Sequence, residues 1–192
     1  MASIKLTGDT SGEITISAPA VAGTNTLTLP ANTGTIVTSA SGAGDLPSTI
    51  AGPAFRAYLS ATQSIPHATF TKLQLDTEVF DTNSNYDNAT NYRFTPTIAG
   101  YYFVAMTTYI ANLAANEIAI AAIYKNGSEI HRGTQVVNAL LAGNQSAAST
   151  LLYMNGSTDY IEFYVYHSHG SSRNANGIER HNNATAFLAR AA

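Results

Sequence analysis

Apolar and polar residues alternate over short runs along most of this 192-residue chain. Within the first 40 residues, three such runs with Thr as a frequent polar partner predict β-strands at 13–17, 26–29 and 35–38. Gly and Pro separate the runs, and none of these first 40 residues is aromatic. A lone hairpin is only marginally stable in water, so we expect this N-terminal β attachment segment to pair with another copy of itself or with a partner surface.

A second set of alternating runs follows residues 41–53, whose Ser, Gly, Ala and Pro content is typical of a linker. Short strands with turn residues between them predict that residues 54–192 form one all-β domain, a sandwich or a barrel. Residues 112–123 are rich in Ala, as helices are, but their β-branched residues favour a strand. Asn-Gly pairs at 126–127 and 155–156 predict hairpin turns. The predicted strands of this domain are 54–59, 69–75, 101–110, 118–124, 130–137, 151–154, 160–167 and 185–188.

The predicted strand 160–167 carries aromatic residues on both of its faces. Ile161, Phe163 and Val165 share one side, which suits the core of a sandwich. The opposite side carries tyrosines, and such a face is too apolar for open solvent and too polar for a core. We therefore expect a subunit interface that buries the rings and satisfies their hydroxyl groups. The alternative is a solvent-covered face, since single exposed aromatic residues are normal. The predicted trimer-interface residues are Tyr101, Tyr160, Tyr164, Tyr166 and Phe187.

Charged residues make up 11% of the chain, compared with about 25% in an ordinary soluble domain. The formal net charge is −3 and the sequence has no cluster of Lys and Arg, which argues against a nucleic-acid partner. The absence of Cys excludes disulfide bonds and zinc–thiolate sites. No apolar stretch approaches the roughly 18 residues of a membrane span, and the N-terminus lacks a signal-peptide pattern, so we expect no membrane insertion.

Several sequence blocks after residue 52 resemble the globular head domain of complement component 1q. The most distinctive block is Arg93-Phe94-Thr95-Pro96, followed by Ala99-Gly100-Tyr101-Tyr102-Phe103. The family usually ends in Phe-x-Gly, whereas Ala189 and Arg190 follow Phe187-Leu188 here. The resemblance implies a jelly-roll β-sandwich of complement 1q and tumour necrosis factor type that assembles as a homotrimeric knob. The other matching blocks are 53–60, 70–73, 80–81, 86–87, 124–127, 159–162 and 186–188.

Residues 12–30 resemble a segment that is frequent in the virion proteins of tailed bacteriophages, especially their tail fibres. This resemblance implies a phage structural protein that is located in the virion and assembled in the host cytoplasm. Its partners would be itself, as a homotrimer, other virion proteins such as a tail or major capsid protein, and a host-surface glycan or protein. The residues expected to mediate virion attachment are Ile14, Ile16, Leu27, Leu29 and Ile36.

Two structural roles fit these features. The first is a trimeric tail-fibre tip that binds the host surface, which the resemblance of the N-terminal segment favours. The second is a trimeric capsid decoration, or cement, protein whose N-terminal strands clamp major capsid subunits. A fibre normally needs a shaft, whereas the linker here spans at most about 50 Å when extended, which favours decoration. No nucleophile elbow, phosphate-binding glycine loop or His-Glu-x-x-His motif is present, so we expect no enzyme activity.

Two groups of residues have the chemistry of metal ligands. Asp81 and Asp87 flank a loop rich in oxygen-bearing side chains, as Ca²⁺ requires, but the turn Gly and bidentate Glu of a helix-loop-helix site are missing. His167 and His169 would share one face of an extended strand, yet the sequence marks no third ligand. Ordinary Asx turns and polar surface contacts account for both groups, and we expect no bound metal or cofactor.

Two polar loops, whose side chains we expect to be exposed, are candidates for receptor binding, because a rigid scaffold can present loops without losing its own hydrogen bonds. Amide, Arg and Tyr side chains suit the hydroxyl groups and apolar faces of sugars. The same Gly, Ser and Asn content is also what turns require. The candidate residues are Asn83, Asn85 and Tyr86 in the first loop and His167, His169, Arg173, Asn174 and Asn176 in the second.

Overall fold

The chain divides into two compact units, residues 1–39 and residues 40–192. The predicted strands at 26–29 and 35–38 lie outside the described residues. In the part of the chain that is described, no helix is long and apolar enough to cross a membrane. The computed structural model describes residues 3–7, 10–17, 52–137, 139 and 142–192.

The described part of the first unit is an antiparallel hairpin of β1 (Ser3–Thr7) and β2 (Glu13–Ser17). The strand predicted at 13–17 is confirmed, and β1 is an additional strand with the same alternation of apolar and polar residues. Gly12 has a φ of 81° immediately before β2. This left-handed conformation is available to Gly without the steric cost that a Cβ atom would add.

The second unit is built from β-strands and has no helix among its described residues, so residues 112–123 are not helical. The core strands predicted at 101–110, 118–124 and 160–167 are confirmed. The strands, in chain order, are β3 (Ala54–Tyr58), β4 (Gln63–Ile65), β5 (Thr71–Lys72), β6 (Thr77–Asp81), β7 (Tyr86–Asp87), β8 (Arg93–Phe94), β9 (Ala99–Leu113), β10 (Ile118–Lys125), β11 (Ser128–Arg132), β12 (Val136–Val137), β13 (Ala142–Asn155), β14 (Ile161–His167), β15 (Arg173–Ala175) and β16 (Asn183–Ala191).

Several of the predicted strands differ in extent from the observed ones, and the prediction at 185–188 covers only the middle of β16. The prediction at 69–75 is reduced to β5, and the prediction at 130–137 is divided into β11 and β12. The prediction at 151–154 covers only the last part of β13. The earlier part of β13 contains Ala, Gly, Ser and Asn instead of large apolar residues. It forms a strand because it pairs with β9 along almost its whole length, and this pairing has no signature in local sequence.

The strands form two seven-stranded sheets that pack face to face. Sheet I has the order β4–β15–β9–β16–β3–β6, and β13 pairs with β9; sheet II has the order β11–β10–β14–β8–β7, with β12 on β10 and β5 on β14. Alternate residues of β9 and β14 point into the core between the sheets, among them Tyr102, Val104 and Phe163. Phe55 stacks on Phe94 with ring centroids 4.7 Å apart. The predicted jelly-roll sandwich is therefore confirmed.

Strand registers define two ends of this sandwich. The proximal end is where the chain enters and leaves, because Leu188 N–H donates to Pro53 O and Ala192 N–H donates to Ala99 O. The distal end lies at the other extremity of the strands. There, Ala68 N–H donates to His167 O at the end of β14, close to the start of β10. The loops between β3 and β5, between β9 and β10, and between β14 and β15 all lie at the distal end.

Candidate functional site

The outward face of sheet I carries a continuous apolar patch. Tyr101 lies opposite Tyr153 in the register of β9 and β13, and their ring centroids are 5.7 Å apart. Phe103 lies opposite both Leu151 on β13 and Phe187 on β16. The side chains of Tyr101, Tyr153 and Phe187 are 44–46% exposed, and that of Leu151 is 59% exposed. Five large apolar side chains are thus neighbours on the surface of one sheet.

The strand segments that carry this apolar patch also lack charge. The strand segments 101–109, 145–153 and 183–187 contain no Asp, Glu, Lys or Arg. Next to Phe103, the small side chains of Ala105 and Ser149 line a hollow of about 430 Å³. A surface that is depleted in charge, enriched in aromatic residues and hollow enough to receive a side chain has the composition of a protein–protein interface.

The outward face of sheet II has a different construction. As predicted, Ile161, Phe163 and Val165 point into the core, so the tyrosines of β14 point away from it. Tyr164 stacks on Tyr124 of β10 with centroids 4.0 Å apart, and Tyr166 packs against Phe70 at 5.1 Å; Arg93 lies over the Tyr160 ring at 4.5 Å. Burial raises the pKa of Tyr164. These rings are half-buried by residues of their own chain.

Ion pairs accompany the aromatic residues on sheet II. Lys72 Nζ lies 2.9 Å from Glu162 Oε1, whose side chain is almost fully buried. Arg132 binds Glu129 through two hydrogen bonds of 2.8 and 2.9 Å, and this hydrogen bonding lowers the pKa of Glu129. The five residues predicted for the interface therefore occupy two opposite faces, with Tyr101 and Phe187 on sheet I and the other three on sheet II.

The first predicted receptor loop is largely buried. Tyr86 is 6% exposed, its ring stacks on Phe55, and its hydroxyl donates to Leu75 O at 3.1 Å. Burial raises the pKa of Tyr86 far above its usual range. Asn85 is 9% exposed and accepts a hydrogen bond from Thr97 N–H. The predicted exposure of Asn85 and Tyr86 is wrong, because β7 pairs with β8 and points the Tyr86 ring into the core; only Asn83 is exposed.

The carboxylates considered as calcium ligands close their own turns. Asp87 accepts hydrogen bonds from the N–H groups of Thr90, Ala89 and Asn91, which lower its pKa to about 2. Asp81 accepts hydrogen bonds from the N–H groups of two residues in its loop. Within the described ranges, no group of three His, Cys, Asp or Glu residues is arranged to hold a metal ion.

His167 is fully buried at the distal end, so its predicted exposure is also wrong. Its Nε2 donates to Ile65 O at 2.9 Å, while its Nδ1 accepts a hydrogen bond from His169 N–H at 3.2 Å. These two contacts require the neutral ring, and burial lowers the pKa of His167. The signal in the sequence was the parity of β14: His167 continues the inward series of Ile161, Phe163 and Val165.

His169 and Arg173 organise the loops around this buried histidine. Arg173 Nε donates to Asn112 O at 2.8 Å, and its Nη1 donates to Ser171 Oγ at 3.2 Å. Its Nη2 contacts His169 Nε2, and His169 Nδ1 accepts a hydrogen bond from Ser171 N–H. Asn174 is exposed. Asn176 is half-buried, and its carbonyl accepts a hydrogen bond from Asn182 Nδ2. The two predicted receptor loops lie at opposite ends of the sandwich and do not form one site.

The N-terminal hairpin presents apolar residues on one of its faces. In the register of β1 and β2, Ile4 lies opposite Ile16 and Leu6 lies opposite Ile14. The side chains of Ile4, Leu6 and Ile16 are 44–64% exposed. The three remaining predicted attachment residues, Leu27, Leu29 and Ile36, lie outside the described residues.

No protein-family model matches this chain. No curated protein matches it either.

Solved structures do share its fold. The globular domain of zebrafish complement 1qA protein is 11% identical, with a TM-score of 0.52 over 73% of this chain and 98% of that one. Murine APRIL at pH 8.0 is 9% identical, with a TM-score of 0.53 over 71% of this chain and 98% of that one. The PRD1 vertex protein P5 is 17% identical, with a TM-score of 0.50 over 71% of this chain and 96% of that one. The fold is therefore a jelly roll of complement 1q and tumour necrosis factor type.

Proposed function

We propose that this chain is a structural, non-enzymatic protein of a bacteriophage virion whose 54–192 domain forms a homotrimeric knob, as a tail fibre or tip that binds the host surface. The observation that carries the proposal is the uncharged part of the outward face of sheet I, formed by residues 101–109, 145–153 and 183–187, on which Tyr101, Leu151, Tyr153 and Phe187 are exposed in a single chain. Contiguous apolar area of this kind is normally covered by another protein surface.

The geometry of a closed ring selects which aromatic residues belong to the interface. In a cyclic trimer each subunit uses two different surfaces, and the ring closes only if these are inclined to one another. The outward faces of sheets I and II lie on opposite sides of the core, so joining one to the other would give an open stack. The proposed interface therefore includes Tyr101 and Phe187, and it leaves Tyr160, Tyr164 and Tyr166 on the outside of the trimer.

Two features support a virion location. Residues 12–30 resemble a segment of phage tail fibres, and the fold of residues 54–192 is shared with the vertex protein P5 of PRD1. The exposed apolar side of the hairpin, which includes Ile16, would then attach the knob to another virion protein. An isolated hairpin of this size needs such a partner for stability.

A capsid decoration protein is the second candidate. The observation that favours it is the short linker, 41–53, which leaves little length for a fibre shaft between the attachment segment and the knob. The number of copies per virion separates the candidates. A number close to that of the major capsid subunits supports decoration, and a small number confined to purified tails supports a fibre.

Sedimentation of the full chain with one charge added to sheet I tests the interface. We expect the unmodified chain to sediment at about three times its 20.2 kDa mass, because the apolar faces meet in a trimer. Leu151→Glu should give a folded monomer, since this side chain is already 59% exposed in a single chain and the charge would be buried only on assembly. The matched control is Ile130→Glu, an exposed residue of β11 in sheet II, which should leave the trimer intact. An unmodified chain that is a stable monomer at micromolar concentration would contradict the proposal.

A further inference from the structure

We infer that the distal end of the knob carries a binding site for a neutral saccharide, formed by the loops at 60–70, 112–117 and 168–174. The inference rests on the proposed function and makes it more specific, because it assigns the host-binding surface to one end of the domain and names the class of ligand.

The course of the chain selects this end. Residues 52–54 and 191–192 both lie at the proximal end, so a knob attached through its N-terminal segment presents the other end outward. Strand β9 alone runs from Ala99 at the proximal end to Leu113 at the distal end, roughly 45 Å of extended chain. Asn83, which is exposed at the proximal end, would therefore face the attachment side.

The distal loops are held in place before any ligand arrives. Arg173 joins the 168–174 loop to the 112–117 loop through its bond to Asn112 O. In the third loop, 60–70, the His67 ring contacts His169 O of the 168–174 loop. His167 fixes the base of this arrangement through Ile65 O and His169 N–H. Loops ordered in advance lose little conformational entropy on binding. Since the guanidinium donors of Arg173 bind loop atoms, Arg173 is a positioning residue and the ligand contacts belong to its neighbours.

The chemistry of these loops selects the ligand class. Residues 60–70 contain no charged side chain, while 112–117 and 168–174 contain one each, Glu117 and Arg173. Both of these charges lie next to His169, and Glu117 Oε1 is 3.8 Å from His169 Nε2. Apart from the His67 imidazole, the exposed polar side chains are amides and hydroxyls, each able to donate and to accept, as sugar hydroxyls require. A site for a sulfated or sialylated glycan would need unpaired cations, and the described loops show none. The exposed polar residues are Ser60, Thr62, Ser64, His67, Thr69, Asn112, Asn116, Ser171, Ser172 and Asn174.

Two exposed amides allow a clean test. Asn116 has a φ of 67°, so Asn116→Gly removes the amide while keeping the left-handed backbone. Asn174→Ala removes the second amide from an exposed position of β15. Asn83→Ala, at the proximal end, is the matched control. The full chain and these variants would be applied to an array of immobilised neutral hexose oligosaccharides that also displays sulfated and sialylated glycans.

We expect the full chain to bind neutral oligosaccharides. The Asn116→Gly/Asn174→Ala variant should bind them at least tenfold more weakly, and Asn83→Ala should bind them as the full chain does. All three proteins should have the same mass in sedimentation. Binding confined to charged glycans, or an equal loss in Asn83→Ala, would overturn the inference. A trimeric chain that binds no neutral glycan would also overturn the inference. If such a chain adsorbs to cells and the Asn116→Gly/Asn174→Ala variant adsorbs less, the receptor would be a protein. None of these glycan-binding outcomes contradicts the proposed trimer. An unmodified chain that is monomeric, in contrast, would overturn the proposed function itself.

Discussion

The outward faces of the two sheets bear aromatic residues in similar numbers, but they differ in how far residues of the same chain cover these side chains. On sheet II, Tyr164 stacks on Tyr124, and Lys72 and Glu162 form an ion pair beside them, so the single chain covers its own apolar surface. On sheet I, Leu151 and Phe187 remain exposed, and no charged residue occurs in the three adjoining strand segments. We therefore expect an aromatic face to mark an interface only where its own chain leaves it uncovered.

The largest expected difference between the faces comes from matched tyrosine truncations. Tyr164→Ala should lower the free energy of unfolding of the domain by about 2 kcal/mol, because it removes a half-buried ring from its stack on Tyr124. Tyr153→Ala should change this free energy little and weaken trimer formation instead, since its ring is 44% exposed in one chain. The unfolding free energies of both variants would be measured by urea unfolding in the monomeric Leu151→Glu background, using Tyr fluorescence, because every Tyr of the chain lies after residue 53. Trimer formation would be measured by sedimentation of each truncation without Leu151→Glu.

The proposed difference between the two faces would be contradicted if Tyr164→Ala and Tyr153→Ala lowered the unfolding free energy of the monomeric domain by the same amount. Loss of the trimer in Tyr164→Ala, with the unfolding free energy unchanged, would place the interface on sheet II.

A smaller effect is expected from removing one cation on sheet II. Lys72→Met should lower the free energy of unfolding by about 1–2 kcal/mol, since it leaves the buried carboxylate of Glu162 without its partner. The control is Arg132→Met in the more exposed pair with Glu129, for which a change within about 0.5 kcal/mol is expected. Adding Glu162→Gln to Lys72→Met should recover part of the loss; no recovery would show that the Lys72 stem, and not the charge pair, matters.

The smallest expected effect is a pH dependence that separates folding from assembly. His167 has a folded pKa below its ordinary value of 6.5 because it is buried, and His169, His67 and Arg173 lie near it. Above pH 6.5 it is neutral in both states and contributes full stability. As the pH falls below 6.5, the unfolded chain takes up a proton that the folded chain does not, so the free energy of unfolding falls.

Urea unfolding and sedimentation between pH 8 and pH 5.5 would measure this separation. The strand segments 101–109, 145–153 and 183–187 contain no residue that normally titrates in this range, so the trimer mass should stay constant while the unfolding free energy decreases. In His167→Gln the decrease should be smaller. A trimer that dissociates before stability is lost would indicate a titrating group within the interface.

The receptor-loop residues show how local sequence and tertiary structure differ in what they reveal. Gly, Ser and Asn around residues 83–87 and 167–176 correctly indicated turns, but composition carries no information on the direction in which a side chain points. Pairing of β7 with β8 buries Tyr86, and the parity of β14 buries His167. The burial of His167 could have been predicted by continuing the inward series of Ile161, Phe163 and Val165 to its next position, whereas the burial of Tyr86 depends on a two-residue strand.

The sequence by itself determined the all-β class and the inward face of β14, because period-two alternation and turn residues are local properties. It also determined that the strands around Phe103 and Phe187 lack charge. Only the tertiary structure decided that these strands are neighbours in one sheet, that Tyr101 and Tyr164 lie on opposite faces, and that the two polar loops occupy opposite ends. Those properties follow from pairings between residues far apart in the chain, such as Phe103 with Phe187, which no local pattern records.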